Sequence, residues 1–224
     1  REIYPALSLG DGLSFDVSEY EGLHPDIFSI PGRGTFINNN PGASMMGAVP
    51  YALLRPLTDR IVERVQKGRA ANPQTEPETP RYETIYPMAQ EFYQKARERG
   101  SDIKFGLGAA ITQSLVMAPV SALSAVVMFF LLLSLTKNRR AAALLALVYA
   151  FATPVFYRTA QLNQNVLLAH FAFFAFALLW RPSSDEAERR KKPFYFLAGL
   201  ATGWTVVLDY SGLAAVLVLS FYAL

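Results

Sequence analysis

Cysteine is absent from the 224 residues, which excludes disulfide staples, thiolate nucleophiles and cysteine-held zinc or iron–sulfur centres. Histidine is nearly absent too. His24, a surface-loop residue, and His170 are the only two, so a histidine-rich metal site is excluded. There is no Walker loop, no dinucleotide-binding glycine pattern, no nucleophile elbow and no HExxH, and most hydrolase schemes fall with them. No internal repeat and no long strand pattern is visible. Charge is sparse at 17%, whereas 52% of the chain is hydrophobic, too apolar for an ordinary soluble domain.

The apolar residues are unevenly spread. Residues 1–104 carry 12 Lys/Arg and 14 Asp/Glu, and residues 105–224 carry 9 and 4. Phe105–Thr136 holds 32 residues without a formal charge, more than the ~20 that cross a hydrocarbon core, and Pro119 is expected to kink it. Ala141–Tyr157 and Val166–Trp180 read as a membrane hairpin. Phe194–Leu208 and Leu213–Leu224 are apolar again, with Asp209-Tyr210-Ser211-Gly212 as a break. The fold class expected is all-α: a polytopic membrane protein of four to five transmembrane helices with an extracytoplasmic helical region. Its two parts are residues 1–104 and 105–224.

Basic clusters set the orientation. Lys137, Arg139 and Arg140 follow the first span; Arg181, Arg189, Arg190, Lys191 and Lys192 separate the third from the fourth. The positive-inside tendency makes both loops cytoplasmic, so residues 1–104, the loop Arg158–Asn165 and the Asp209–Gly212 break share the opposite face. Basic residues at the ends of apolar runs also argue against nucleic acid as a partner. The bilayer is the partner instead.

Residues 1–104 are rich in turn chemistry: Gly10-Asp11-Gly12, Pro31-Gly32-Arg33-Gly34 and Asn38-Asn39-Asn40-Pro41-Gly42. Between the turns, Ala43–Leu54, Leu57–Gly68 and Tyr86–Arg99 are expected as short helices along the membrane face. Asn72–Thr84, rich in Pro, Glu and Thr, is expected as a mobile loop.

Three stretches carry a family resemblance. Asn39-Asn40-Pro41-Gly42 with the small-residue run to Pro50-Tyr51, then Phe151–Tyr157, then Gly199-Leu200-Ala201-Thr202-Gly203 through Asp209-Tyr210, resemble the polyprenyl-phosphate-dependent membrane glycosyltransferases of the GT-C superfamily, mannosyltransferases and aminoarabinose transferases among them. The resemblance implies a polyprenyl-phosphate-linked sugar as donor, an unidentified acceptor, and a bacterial or archaeal plasma membrane with transfer at its outer face. It also implies a base, an Asp in the first outer loop, expected just upstream of Arg1, so that the chain reads as an N-terminal fragment.

Such transfer needs a carboxylate for the acceptor proton, positive charge for the leaving phosphate, and a pocket that aligns the two substrates. Asp11 and Asp16 are secondary candidates: acids, acceptor ligands or ligands of a divalent metal, against turn and cap residues. Arg158 either grips phosphate with two bonds or anchors at the interface. Asn163 stands where related members often carry Asp. With Gln161, Gln164 and Asn165 it contacts sugar hydroxyls or is loop polarity. Asp209 ends an apolar helix, where a carboxylate needs water, a partner or a ligand. Tyr210 stacks on a sugar or sits in the aromatic belt, Asn40 is a turn residue or a substrate contact, and His170 packs with one hydrogen bond or meets substrate. Two other readings stay open: a non-catalytic membrane module that binds a lipid carrier or partner proteins, and a transporter or flippase, for which inverted repeats and mid-membrane charge are not visible.

Overall fold

The computed structural model describes residues 1–71, 84–180 and 192–223. The expected mobile loop, apart from Thr84, and the basic residues Arg181, Arg189, Arg190 and Lys191 lie outside them. Among the described residues the chain is helical, with one short two-stranded sheet. It divides into two compact units, Arg1–Asn39 with Ser44–Thr112, and Asn40–Ala43 with Gln113–Leu224.

The first unit is built around an aromatic cluster. α1 (Ile3–Gly12) supplies Tyr4 and Leu7, and the start of α4 (Asp102–Thr136) supplies Phe105. Phe105 lies 5.3 Å, ring to ring, from each of Tyr4, Tyr20 and Phe92, the last from α3 (Pro87–Glu98). A hairpin absent from the strand reading joins this core. β1 (Ile27–Ile30) pairs antiparallel with β2 (Gly34–Ile37), Ile27 opposite Ile37, and Thr35 and Ile37 are buried. Four-residue strands are too short for alternation to register.

One sequence boundary is corrected. The two helices expected over Ala43–Leu54 and Leu57–Gly68 are a single helix, α2 (Pro41–Ala71), with Pro50 and Pro56 inside it. Each proline removes one N–H. Tyr51 is buried and Arg55 pairs with Asp11, so tertiary contacts carry the helix through Pro56.

The second unit is a helical bundle. Within α4 the turn Gln113–Met117 is π-helical, just before Pro119. The wider turn absorbs the hydrogen bond that the proline cannot donate. The run Ala141–Tyr157 is not one helix. α5 (Arg139–Phe151) stops, and α6 (Pro154–Arg158) restarts with Thr153 accepting from Val155 N and Pro154 in its first turn. α7 (Gln164–Leu179) and α8 (Lys192–Leu208) pack closely, and α9 (Gly212–Ala223) follows the break. Ala175 and Leu179 of α7, Ala198 of α8 and Leu219 of α9 form their shared core.

Among the described residues one helix, Asp102–Thr136, is long and apolar enough to cross a membrane; α7, most of α8 and α9 are shorter apolar helices. This unit has two unlike ends. The loop Arg158–Asn165 and the Asp209–Gly212 break lie at one, and the exposed residues Lys137, Arg139 and Arg140 at the other.

Candidate functional site

The break between α8 and α9 is a tight reversal. Asp209 Oδ1 accepts from Ser211 N at 2.8 Å, an Asx turn, and Gly212 N donates to the Asp209 carbonyl at 2.9 Å. Thr205 Oγ1 reaches the Gly212 carbonyl at 3.3 Å, and a Cβ at Gly212 would overlap the Thr205 backbone.

The other carboxylate oxygen is shared by two distant segments. Asp209 Oδ2 accepts from Asn40 Nδ2 at 3.1 Å and from Gln164 Nε2 at 3.0 Å. Asn40 precedes the first turn of α2, and Gln164 opens α7. The segment is drawn in closely: a Cβ on Gly42 would sit 2.7 Å from the Val207 carbonyl oxygen and 2.8 Å from Leu208 N. The Asn-Pro-Gly sequence thus has a physical reading. Asn40 reaches the carboxylate, Pro41 starts the helix with a fixed φ, and Gly42 admits the α8 backbone.

Next to Gln164, Asn165 lines a cavity of about 540 Å³ together with Tyr149, Arg158, Val166, His170 and Phe173. Arg158 is exposed, its Nε 3.4 Å from Tyr157 Oη and its guanidinium over the Tyr157 ring. His170 is buried, and its Nε2 lies 3.0 Å from Ser121 Oγ. A cavity with a cation at an exposed edge and an imidazole at a buried one descends into the bundle. On the far side of Val155 and Thr159 a larger groove, about 810 Å³, is walled by apolar side chains including Phe129, Phe130, Leu147 and Phe156.

The remaining expected residues have local duties. Asn163 Oδ1 caps α7, accepting from Val166 N at 3.1 Å. Tyr210 is 74% exposed on the turn. In the first unit Asp11 is an ion-pair hub: Oδ2 is 2.8 Å from Lys104 Nζ, and Oδ1 is 3.2 Å from both Arg55 Nε and Tyr51 Oη. Asp16 Oδ1 accepts from the Ser18 hydroxyl and amide and from Thr35 N at 3.1 Å. The Ser18 hydroxyl bond, followed by the Thr35 and Ser18 amides, holds its carboxyl below the usual carboxylate range. Among the described residues no three His, Asp or Glu side chains gather as a metal-binding group.

Asn40 and Asp209, named separately from the sequence, are therefore direct partners, and Arg158 and His170 share one cavity. Gln164 was read only as loop polarity or a sugar contact, and the Ser121–Thr159–His170 chain was not foreseen. Hydroxyls inside apolar helices leave no spacing signal; Ser121 and Thr159 pair only once α4 packs against the loop after α6.

No curated protein and no solved structure matches the chain. The family model for dolichyl-phosphate-mannose-protein mannosyltransferases matches residues 89–224, more than half of the chain and nearly all of the second unit. The chain belongs to this family of membrane glycosyltransferases.

Proposed function

We propose that the chain forms part of an enzyme that moves a sugar from a polyprenyl-phosphate donor to an acceptor at the extracytoplasmic face of a membrane, and that its second unit crosses the bilayer four to five times. The observation that carries this reading is the double acceptance by Asp209 Oδ2. It draws the start of α2, the start of α7 and the α8–α9 break to one end of the bundle, beside the cavity edged by Arg158.

The parts suit the chemistry in a definite way. Asp209 has both oxygens engaged, so it acts as the clasp that holds Asn40 and Gln164 in place, while the acceptor proton goes to another base. Arg158, exposed and always charged, meets the donor phosphate and stabilises it as it leaves. The apolar groove beyond Val155 and Thr159 takes the first isoprene units, which places the phosphate where groove and cavity adjoin. The basic residues Lys137, Arg139 and Arg140 at the opposite end support the sidedness.

The test is transfer from radiolabelled dolichyl-phosphate mannose by the intact protein in nanodiscs. Arg158→Ala is expected to lower kcat/KM by about 100-fold, the scale of a lost charge-assisted contact to a developing anion. Arg158→Lys should restore part of it. Unchanged turnover in Arg158→Ala would remove this end of the bundle from the reaction, and binding of the donor with no transfer to any acceptor would favour a non-catalytic lipid-carrier module.

A further inference from the structure

Helix α2 wears its polarity inside out. The side that packs inward carries Ser44, Tyr51 and Thr58, all buried. The opposite side carries Met45, Val49, Leu53 and Leu57, which are 41, 62, 77 and 55% exposed. A helix on a water-facing surface has the reverse distribution. Each step of four residues advances about 40° beyond a full turn, so the four side chains form one stripe about 120° wide and about 18 Å long.

Further along the helix the same sector changes chemistry. Arg60, Arg64 and Lys67 fall within it, and all three are exposed. Lys67 is paired with Glu63, whereas neither Arg60 nor Arg64 has an ion-pair partner among the described residues. Large apolar side chains followed on one face by uncommitted guanidinium groups match the profile of a bilayer edge, hydrocarbon first and phosphate next. The chain also carries the stripe to such an edge. Asn40 is bonded to Asp209 at the α8–α9 break, α2 begins at the next residue, and Met45 follows Asn40 by about 8 Å along the helix axis.

We infer that α2 is an interfacial anchor: Met45, Val49, Leu53 and Leu57 insert among acyl chains at the extracytoplasmic surface, and Arg60 and Arg64 bind the phosphates of anionic lipid headgroups. The helix is therefore tilted, with its first half deeper than its second. This rests on the membrane-crossing reading of the second unit and not on the identity of the sugar donor. An exposed apolar patch of this kind marks an interaction surface, and the two free arginines select a partner that presents hydrocarbon and anionic phosphate side by side.

Single nitroxide labels on the full chain in nanodiscs test this, since the chain has no cysteine of its own. Collisions with oxygen, which concentrates in hydrocarbon, with a water-soluble nickel chelate, and with a lipid whose headgroup holds nickel locate each label. Labels at Val49→Cys and Leu53→Cys replace exposed side chains and are expected to favour oxygen over the aqueous chelate several-fold, as does a label at Leu123→Cys, exposed on α4. A label at Lys67→Cys should collide most with the headgroup nickel. Adding phosphatidylglycerol to phosphatidylcholine discs should raise those headgroup collisions, and Arg60→Gln with Arg64→Gln should abolish the rise. A preference of the Val49 and Leu53 labels for the aqueous chelate would place the stripe in water and overturn the inference. Shielding of both from every reagent would show a protein on the stripe, a second copy or another partner, and overturn it as well. A Lys67 label reached by the aqueous chelate alone, or a phosphatidylglycerol effect that survives loss of both arginines, overturns the headgroup contact. A Leu123 label that prefers the aqueous chelate overturns the membrane-crossing reading itself, which separates the two failures.

Discussion

Asp209 and Asn40 stand 169 residues apart in the chain and meet through a single carboxylate oxygen, 3.1 Å from the Asn40 amide nitrogen, which Gln164 also reaches. Asp209→Ala leaves two part-buried amide groups without an acceptor, and unpaired buried donors cost about 1–3 kcal/mol each. Thermal unfolding in nanodiscs is expected to show a lower Tm for Asp209→Ala. Asn40→Ala and Gln164→Ala should be non-additive when combined, because they share one acceptor. Strict additivity would mean that the shared oxygen does not couple them.

A methyl group at position 42 is predicted to be worse than the loss of the Asn40 amide. Gly42→Ala would force the α8 backbone at Val207 and Leu208 away by several tenths of an ångström, and backbone cannot yield as a side-chain tip can. About 1–3 kcal/mol of destabilisation is expected from such overpacking. A circular-dichroism melt indistinguishable from wild type would show that the first turn of α2 does not lie against the end of α8.

Because the chain has no cysteine, single introduced thiols report sidedness without background. Tyr210→Cys, on the exposed turn, is expected to react with an impermeant maleimide added outside cells. Asn138→Cys, among Lys137, Arg139 and Arg140, should react only after the membrane is opened. Labelling of both from the same side would overturn the proposed topology.

Acid should loosen the hairpin of the first unit. The Asp16 carboxyl is held below its ordinary value chiefly by the Ser18 hydroxyl and by the Thr35 amide, so its contribution is complete above the unfolded carboxylate value of about 4 and is lost as pH falls through the lower, folded one. Hydrogen exchange corrected for intrinsic rates is expected to show falling protection at Thr35 below about pH 4. In Asp16→Asn that acid-dependent fall should be absent. An identical pH profile in the two proteins would detach Thr35 protection from the carboxylate.

The helices and the family were legible because apolar runs and charged ends are one-dimensional signals. Phe105–Thr136 and Phe194–Leu208 needed only their hydropathy, and the three quoted stretches pointed to the family whose model matches residues 89–224. The site was legible as residues and not as partnerships. Asn40, Arg158, His170 and Asp209 stood out as polar groups at apolar boundaries, but nothing in the chain said that one oxygen of Asp209 serves two amides. Pro56 misled in the opposite way: local chemistry argued for two helices, and burial of Tyr51 with pairing of Arg55 outweighed it. Asp11 was read as turn or acid, and Lys104, 93 positions on in sequence, made it an ion-pair hub.

The brevity of α5 and α7 has a mechanical consequence. At 13 and 16 residues they extend roughly 20 and 24 Å, against a hydrocarbon thickness near 30 Å. In the proposed topology the surrounding lipid tails must compress or splay to meet them, at fractions of a kcal/mol per ångström of mismatch. Such a dimple lets a soluble acceptor approach Arg158 without entering oil, and makes turnover sensitive to acyl-chain length, fastest in thin bilayers.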